Sequence, residues 1–441
     1  MNKKKMSKKR LGVWKAWLAA LSLCCGVGGL GVPPALGAET TTSVSRVVHS
    51  LYDKAHAFEK QGQYEAAISV WDDLIHRFGD TQNPTIQRSV AVALFDKGDD
   101  LDTLNHDEAA ISVYDDLIHR FGASQNLTIQ RAVASALCNK GNDLDTLNHY
   151  EAAISVYDDL LHRFGASQNL IIQQAVAVAL YNKGGVLEQN LQRYEAAISV
   201  WDNLIYRFGA SQNLMIQKQV AMALCDKGGV LDQNLHRYEV AISVYDDLIH
   251  RFGGSQNLTI QQQVAMALGS KVVDLGHLHR YKASISVSDD LIHRFGGSQN
   301  LTIQQQVAMA LENKAVNLAN LHRYKALISV CDDLIHRFGA SQNPTIQQQV
   351  ANALYNKAVA LRLLHRYKAS ISVCGDIIHR FATSKNPMLR QAVASALNNE
   401  NTILSQISGS VQNVAGSTGN GQLVNSQTQN LPRYEGSVGT W

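Results

Sequence analysis

Close pairs of metal-binding or redox cysteines are missing from this 441-residue chain. Of its six cysteines, Cys24 and Cys25 fall near the start, and Cys138, Cys225, Cys331 and Cys374 lie far apart. None forms the Cys-x-x-Cys or Cys/His spacing that a zinc or dithiol centre needs. Also lacking are a phosphate-cradling glycine loop, a His-Glu-x-x-His helix and a Gly-x-Ser-x-Gly elbow, the common local signatures of nucleotide, zinc-hydrolase and serine-hydrolase chemistry. Acidic residues are absent from the first 38 positions, where Lys3, Lys4, Lys5, Lys8, Lys9 and Arg10 precede an apolar stretch from Ala16 to Val32. Small residues follow at Ala35, Gly37 and Ala38. That order reads as a bacterial export signal spanning 1–38, so a periplasmic or secreted product with no stable membrane span after cleavage is expected.

Removing that segment takes away seven of the 40 basic residues and leaves 33 against 37 acidic ones. The near-neutral remainder does not favour nucleic acid as a partner. Charge is placed unevenly, with 17 basic and 28 acidic side chains over 39–252 but 16 and 9 over 253–441.

A repeat dominates the rest. The pair Arg-Phe recurs at Arg77, Arg120, Arg163, Arg207, Arg251, Arg294, Arg337 and Arg380, at intervals of 43 or 44 residues. Eight copies at so regular a period describe units that bury their apolar faces against neighbours. Within one copy, Val133, Leu137, Gly141, Leu144 and Leu147 recur at three- and four-residue steps and predict a first helix, A. Ala153, Val156, Tyr157, Leu160 and Phe164 predict a second, B. A glycine after Phe164 suits a left-handed residue past a helix end, and Asn83-Pro84, Asn343-Pro344 and Asn386-Pro387 read as a capping Asn before a first-turn proline.

The unit Leu94–Gly122 resembles the tetratricopeptide repeat. The likeness rests on a small residue in helix A (Gly98, Gly141, Gly184, Gly228), a leucine three residues later, and an alanine opening helix B (Ala67, Ala110, Ala153, Ala197, Ala241). An aromatic residue (Trp71, Tyr114, Tyr157, Trp201, Tyr245) stands four residues after that alanine. The period exceeds the 34 residues usual for the family, as in longer kinesin-light-chain-type repeats, and Phe-Gly replaces the family's helix-ending proline. The resemblance implies an all-α, right-handed α-solenoid of eight helix-turn-helix repeats plus a C-terminal capping helix over 51–407. A short linker over 39–50 precedes it, and a disordered Gly/Ser/Asn/Gln-rich tail over 408–441 follows. In the last three copies the small residue grows to Val272, Ala315 and Ala358 while the aromatic shrinks to Ser288, Cys331 and Cys374. This is a volume trade across one contact, and it makes those cysteines core fillers and not disulfide partners.

Function follows from what repetition does to polar residues. It lays them out as ladders, whereas catalysis gathers unlike groups once, so neither an enzyme nor a metal or cofactor site is expected. The histidines before Arg-Phe, and His236, His279, His322 and His365 in the A-to-B turns, are read as copies of one ancestral unit. Asn126, Asn257 and Asn300 match the glycosylation sequon but already serve as helix caps. By the resemblance, helix A lines a concave groove in which an Asn holds a peptide backbone. The matching positions are Asn139, Asn182, Asn313 and Asn356, with Asp96 and Asp226 in other copies and Tyr181 and Tyr355 beside them. The expected function is a non-catalytic exported scaffold or adaptor for protein or peptide partners. The alternative is a self-assembling structural protein, a homo-oligomer joining the acidic half of one copy to the basic half of another. Leu431 to Glu435 is a candidate docking motif in the tail.

Overall fold

A computed structural model describes residues 38–416, with side-chain surroundings from 43 to 408. The expected export signal and most of the expected tail, including its docking motif, lie outside the described residues. Within them the chain is all-α: seventeen helices and no strand. Helices of type A are α1 (Ala38–Lys60), α3 (Pro84–Thr103), α5 (Leu127–Thr146), α7 (Leu170–Gly185), α9 (Leu214–Gly229), α11 (Leu258–His277), α13 (Leu301–Asn320) and α15 (Pro344–Leu363). Type B helices alternate with them as α2 (Tyr64–Phe78), α4 (Asp107–Phe121), α6 (Tyr150–Phe164), α8 (Tyr194–Phe208), α10 (Tyr238–Phe252), α12 (Tyr281–Phe295), α14 (Tyr324–Phe338) and α16 (Tyr367–Phe381). The last helix, α17 (Pro387–Gly416), packs on α15 and α16. Two boundaries differ from expectation. Residues 39–50, set apart as a linker, belong to α1, and α17 continues past 407 into the expected tail.

The described helices form two compact units that divide after residue 223, inside α9. In the first unit α3, α5 and α7 pack in series, with α4 and α6 between successive members. In the second, α11, α13, α15 and α17 do the same with α12, α14 and α16.

Helix starts follow the expected chemistry. Asn83 Oδ1 accepts from the backbone N–H of Thr85 and Ile86 at 2.9 and 3.3 Å, with Pro84 at the first helical position. Asn343 and Pro344 repeat the arrangement, and Asn126, Asn169, Asn213, Asn257 and Asn300 cap without a proline. Such caps stabilise a helix by about 1 kcal/mol each.

Helix ends do not. Gly122, expected in the left-handed region, has φ −62° and ψ −21°, and the equivalent glycines are likewise right-handed. The conformation does not itself demand glycine, since Ala382 takes the same place with φ −57° and ψ −34°; glycine leaves room for the arginine of the next copy. A Cβ on Gly122 would lie 2.4 Å from Ile118 O and 2.6 Å from Arg163 Nη1 of the next copy. The Arg-Phe-Gly signature is therefore a fastener between copies. Arg120 donates to Gly79 O at 2.6 Å and pairs with Asp116 at 3.0 Å, and Arg207 donates to Gly165 O. Left-handed residues occur instead in the A-to-B turns, at Asn105, Asn148, Gln192, His236, His279, His322 and His365 with φ between 53° and 64°. Asn and His tolerate that region better than most residues, which accounts for the turn histidines without a ligand.

The interval of 44 residues also has a local cause. The two copies with the extra residue end helix A in a wider turn, Val186–Asn190 and Val230–Asn234, in which Leu191 N donates to Val186 O five residues back. One inserted residue is thus absorbed within the helix. The A–B contact is as expected: a Cβ on Gly98, Gly141, Gly184 or Gly228 would come within 2.2–2.3 Å of the ring of Tyr114, Tyr157, Trp201 or Tyr245. Val272, Ser288, Ala315, Cys331, Ala358 and Cys374 are all fully or almost fully buried.

Candidate binding surface

Placed on the fold, the eight residues expected to line a groove are less open than a peptide clamp requires. Asn139 is 6% exposed, and its amide donates to the Tyr114 hydroxyl at 3.2 Å and Asp99 Oδ1 at 3.5 Å. Tyr181 and Asn356 are buried as well. Asn182, Asn313, Tyr355, Asp96 and Asp226 are half-buried. Asn182 donates to Asn142 Oδ1 at 2.6 Å, and Asn313 turns back onto Met309 O at 3.0 Å. Burial holds the Asp96 carboxyl well above the usual carboxylate range, and Glu59, Asp99 and Asp100 push it further. Asn139 is closed in because α5 packs on α4 and α6 and on α3 and α7.

Helix α7 shows how complete that cover is. The segment Leu170–Asn190 is apolar and long enough to cross a membrane, yet two-thirds of its most apolar stretch is buried within the protein. A core helix surrounded by other helices has this composition. The four cysteines of the repeats are free and buried, and burial pushes the Cys138 thiol up to about 12, with Asp143 adding to it.

Exposed apolar side chains lie elsewhere, at Val240 in α10, at Leu397 and Leu404 in α17 and, as a recurring set, at the first residue of helix A. Leu127, Leu170 and Leu214 in the first unit, and Leu258 and Leu301 in the second, are between 44% and 50% exposed. Proline takes this position in α3, α15 and α17. Tyr206, in a place where the other B helices carry histidine, is 90% exposed. The leucines recur in five successive copies, beside joints in which Arg131 Nε donates to Asn169 Oδ1 at 3.2 Å and Gln174 Nε2 to Asn213 Oδ1 at 3.1 Å. Sequence periodicity contained the signal, because a half-exposed leucine stands ahead of the buried face in five successive A helices. In the second unit a shallow cleft lined by Phe338, Gly339, Gln342, Arg380 and Phe381 opens at the same B-to-A edge.

Residues 52–126 and 138–213 match the family model of the tetratricopeptide repeat. No curated protein matches the chain. Among solved structures, the apo form of RapI is 13% identical, with a TM-score of 0.48, over 81% of this chain and 99% of its own. A tetratricopeptide repeat protein from Parabacteroides merdae is also 13% identical, with a TM-score of 0.36, over 70% of this chain and 99% of its own.

Proposed function

From the premise that this is a tetratricopeptide repeat protein, we propose that it is an exported, non-catalytic scaffold that binds segments of partner proteins. The observation that carries the reading is the exposed leucine ladder. Tetratricopeptide repeats serve in general as protein–protein interaction scaffolds, and a row of like apolar contacts favours an extended or helical partner that touches several copies. Each leucine contributes little alone. Burying one half-exposed leucine stabilises a complex by about 1 kcal/mol, so selectivity comes from matching the repeat spacing. Export agrees with the basic, then apolar, then small-residue order of the first 38 residues.

The test replaces Leu127, Leu170 and Leu214 together by serine. Partner capture from the producing cell's envelope should fall sharply, while far-ultraviolet circular dichroism stays unchanged. Capture of the same proteins in the same amounts would remove the ladder from the function. Detection of the unprocessed chain in the cytoplasm would remove export.

A further inference from the structure

The last helix lacks the cover that its counterparts have. In α5, Leu137, Gly141 and Leu144 share one face, and Gly141 lies against Tyr157 of the B helix that follows. The same places in α13 and α15 hold Leu311 with Leu318 and Leu354 with Leu361, all 2% exposed. In α17 they hold Leu397 and Leu404, which are 47% and 50% exposed. α17 packs on α15 and α16, and its Leu389, Ala392, Ala396 and Ile403 are buried. No helix follows it among the described residues, so two core positions of the repeat stand uncovered.

The chain carries a candidate cover in its own sequence. Residues 430–441, NLPRYEGSVGTW, repeat the turn and the opening of the B helix at 190–201, NLQRYEAAISVW. Asn430, Leu431, Arg433, Tyr434, Glu435 and Trp441 are identical to their counterparts, and Ser437 stands where α12 and α16 carry Ser284 and Ser370. Trp441 falls on the position of Trp71 and Trp201, both fully buried. The Leu431–Glu435 motif is thus the start of a B helix set away from its usual place. Two departures matter. Pro432 replaces Gln192, whose φ of 54° a proline ring fixed near −65° does not reach, so the ordinary turn is closed to it. Gly436 and Gly439 are poor helix formers, so the segment needs a surface to hold a helix.

We propose that residues 430–441 dock on the open face of α17 of the same chain as a partial ninth B helix, with the Trp441 ring between Leu397 and Leu404. The tether permits it. A B helix runs back along its A helix, so the segment has to return from Gly416 to the level of Leu404, about 18 Å at 1.5 Å per residue. The residues between, 417–429, span about 43 Å when extended. A tether of this length holds the segment near its face at millimolar effective concentration, so a contact too weak to join separate molecules closes within one. Asn401 stands where Gly141 and Ala358 do, so the ring seats less closely than in the array. The docked segment closes the C-terminal end of the array against other helices, and it does so independently of the leucine ladder.

The full chain and its Trp441→Ala variant test this by hydrogen exchange. The substitution lies outside every described helix and should leave the circular dichroism of the array unchanged. Amides of residues 394–407 should exchange about tenfold faster in the variant, the effect of uncovering two leucines less the cost of ordering the segment, while α11 to α15 stay as they were. Leu404→Ser changes the other side of the contact at a half-exposed position. The Trp441 emission, taken as the difference between each chain and the same chain with Trp441→Phe, should be shielded from acrylamide in the native protein and quenched like free tryptophan in Leu404→Ser. Equal exchange over 394–407 in the native chain and Trp441→Ala would overturn the docking. So would a native Trp441 quenched as readily as free tryptophan. A dimer formed by the native chain and lost in Trp441→Ala would place the segment on a second copy and overturn docking within one chain.

Discussion

Substituting Gly141 by alanine tests whether the contact between helix A and the B-helix aromatic governs stability. The added Cβ would lie 2.3 Å from Tyr157 Cε1 and 2.7 Å from Cζ, against an optimal carbon–carbon separation of about 3.5–4.0 Å. Tyr157 is fully buried and donates to Asn142 Oδ1 at 2.7 Å, so the ring must withdraw by about an ångström and loses that bond. Overpacking costs about 1–3 kcal/mol and the hydrogen bond about 1, while alanine returns about 1 through its helix propensity. Gly141→Ala should therefore destabilise by about 1–3 kcal/mol. Tyr157→Cys removes the ring and should cost about 3–5 kcal/mol. The double variant recreates the pair Ala315–Cys331 that the chain already uses. It should be more stable than the sum of the single effects by about 2 kcal/mol. Urea unfolding under reducing conditions measures the cycle. Amide exchange over Leu127–Phe164 localises the effect, because repeat arrays need not unfold in one step. A coupling within about 0.5 kcal/mol of zero would refute the volume-trade account.

Three further outcomes follow from the fasteners, the caps and the buried acids. Arg120→Lys loses the guanidinium that holds both Asp116 and Gly79 O, and should cost about 1 kcal/mol, more than Arg77→Lys, whose arginine bonds Asp73. Equal losses in urea unfolding would count against the fastener. Leu127→Pro should stabilise by about 0.4–1 kcal/mol, since Asn126 (φ −73°, ψ 123°) already matches Asn343 (φ −71°, ψ 123°) before Pro344. A lower melting temperature would refute this. Asp274 is 1% exposed, and its pKa is pushed up to about 8 by burial first and then by Asp232. The folded state thus binds this proton more tightly than the unfolded chain, so its contribution is complete below the ordinary carboxylate range and lost as pH rises through about 8. Asp274→Asn should flatten that fall, because Asn317 in the same place of the next copy is neutral and donates to Ser284 Oγ at 2.8 Å. Urea midpoints at about pH 5 and 9 give the comparison, and an unchanged slope would sink the assignment.

The sequence resolved the hairpins well because each copy restates the others. Spacing set by apolar contacts survives in all eight, and Asn-Pro marks a helix start by local chemistry alone. The glycine after Phe shows where local rules stop. Its presence suggested a left-handed cap, but what it leaves room for is an arginine some 40 residues further on, and sequence does not display that contact. The groove residues show the same limit. Asn139 was placed by family position, yet its exposure depends on how tightly α3, α5 and α7 close on one another, and Tyr114 and Asp99 already occupy its amide.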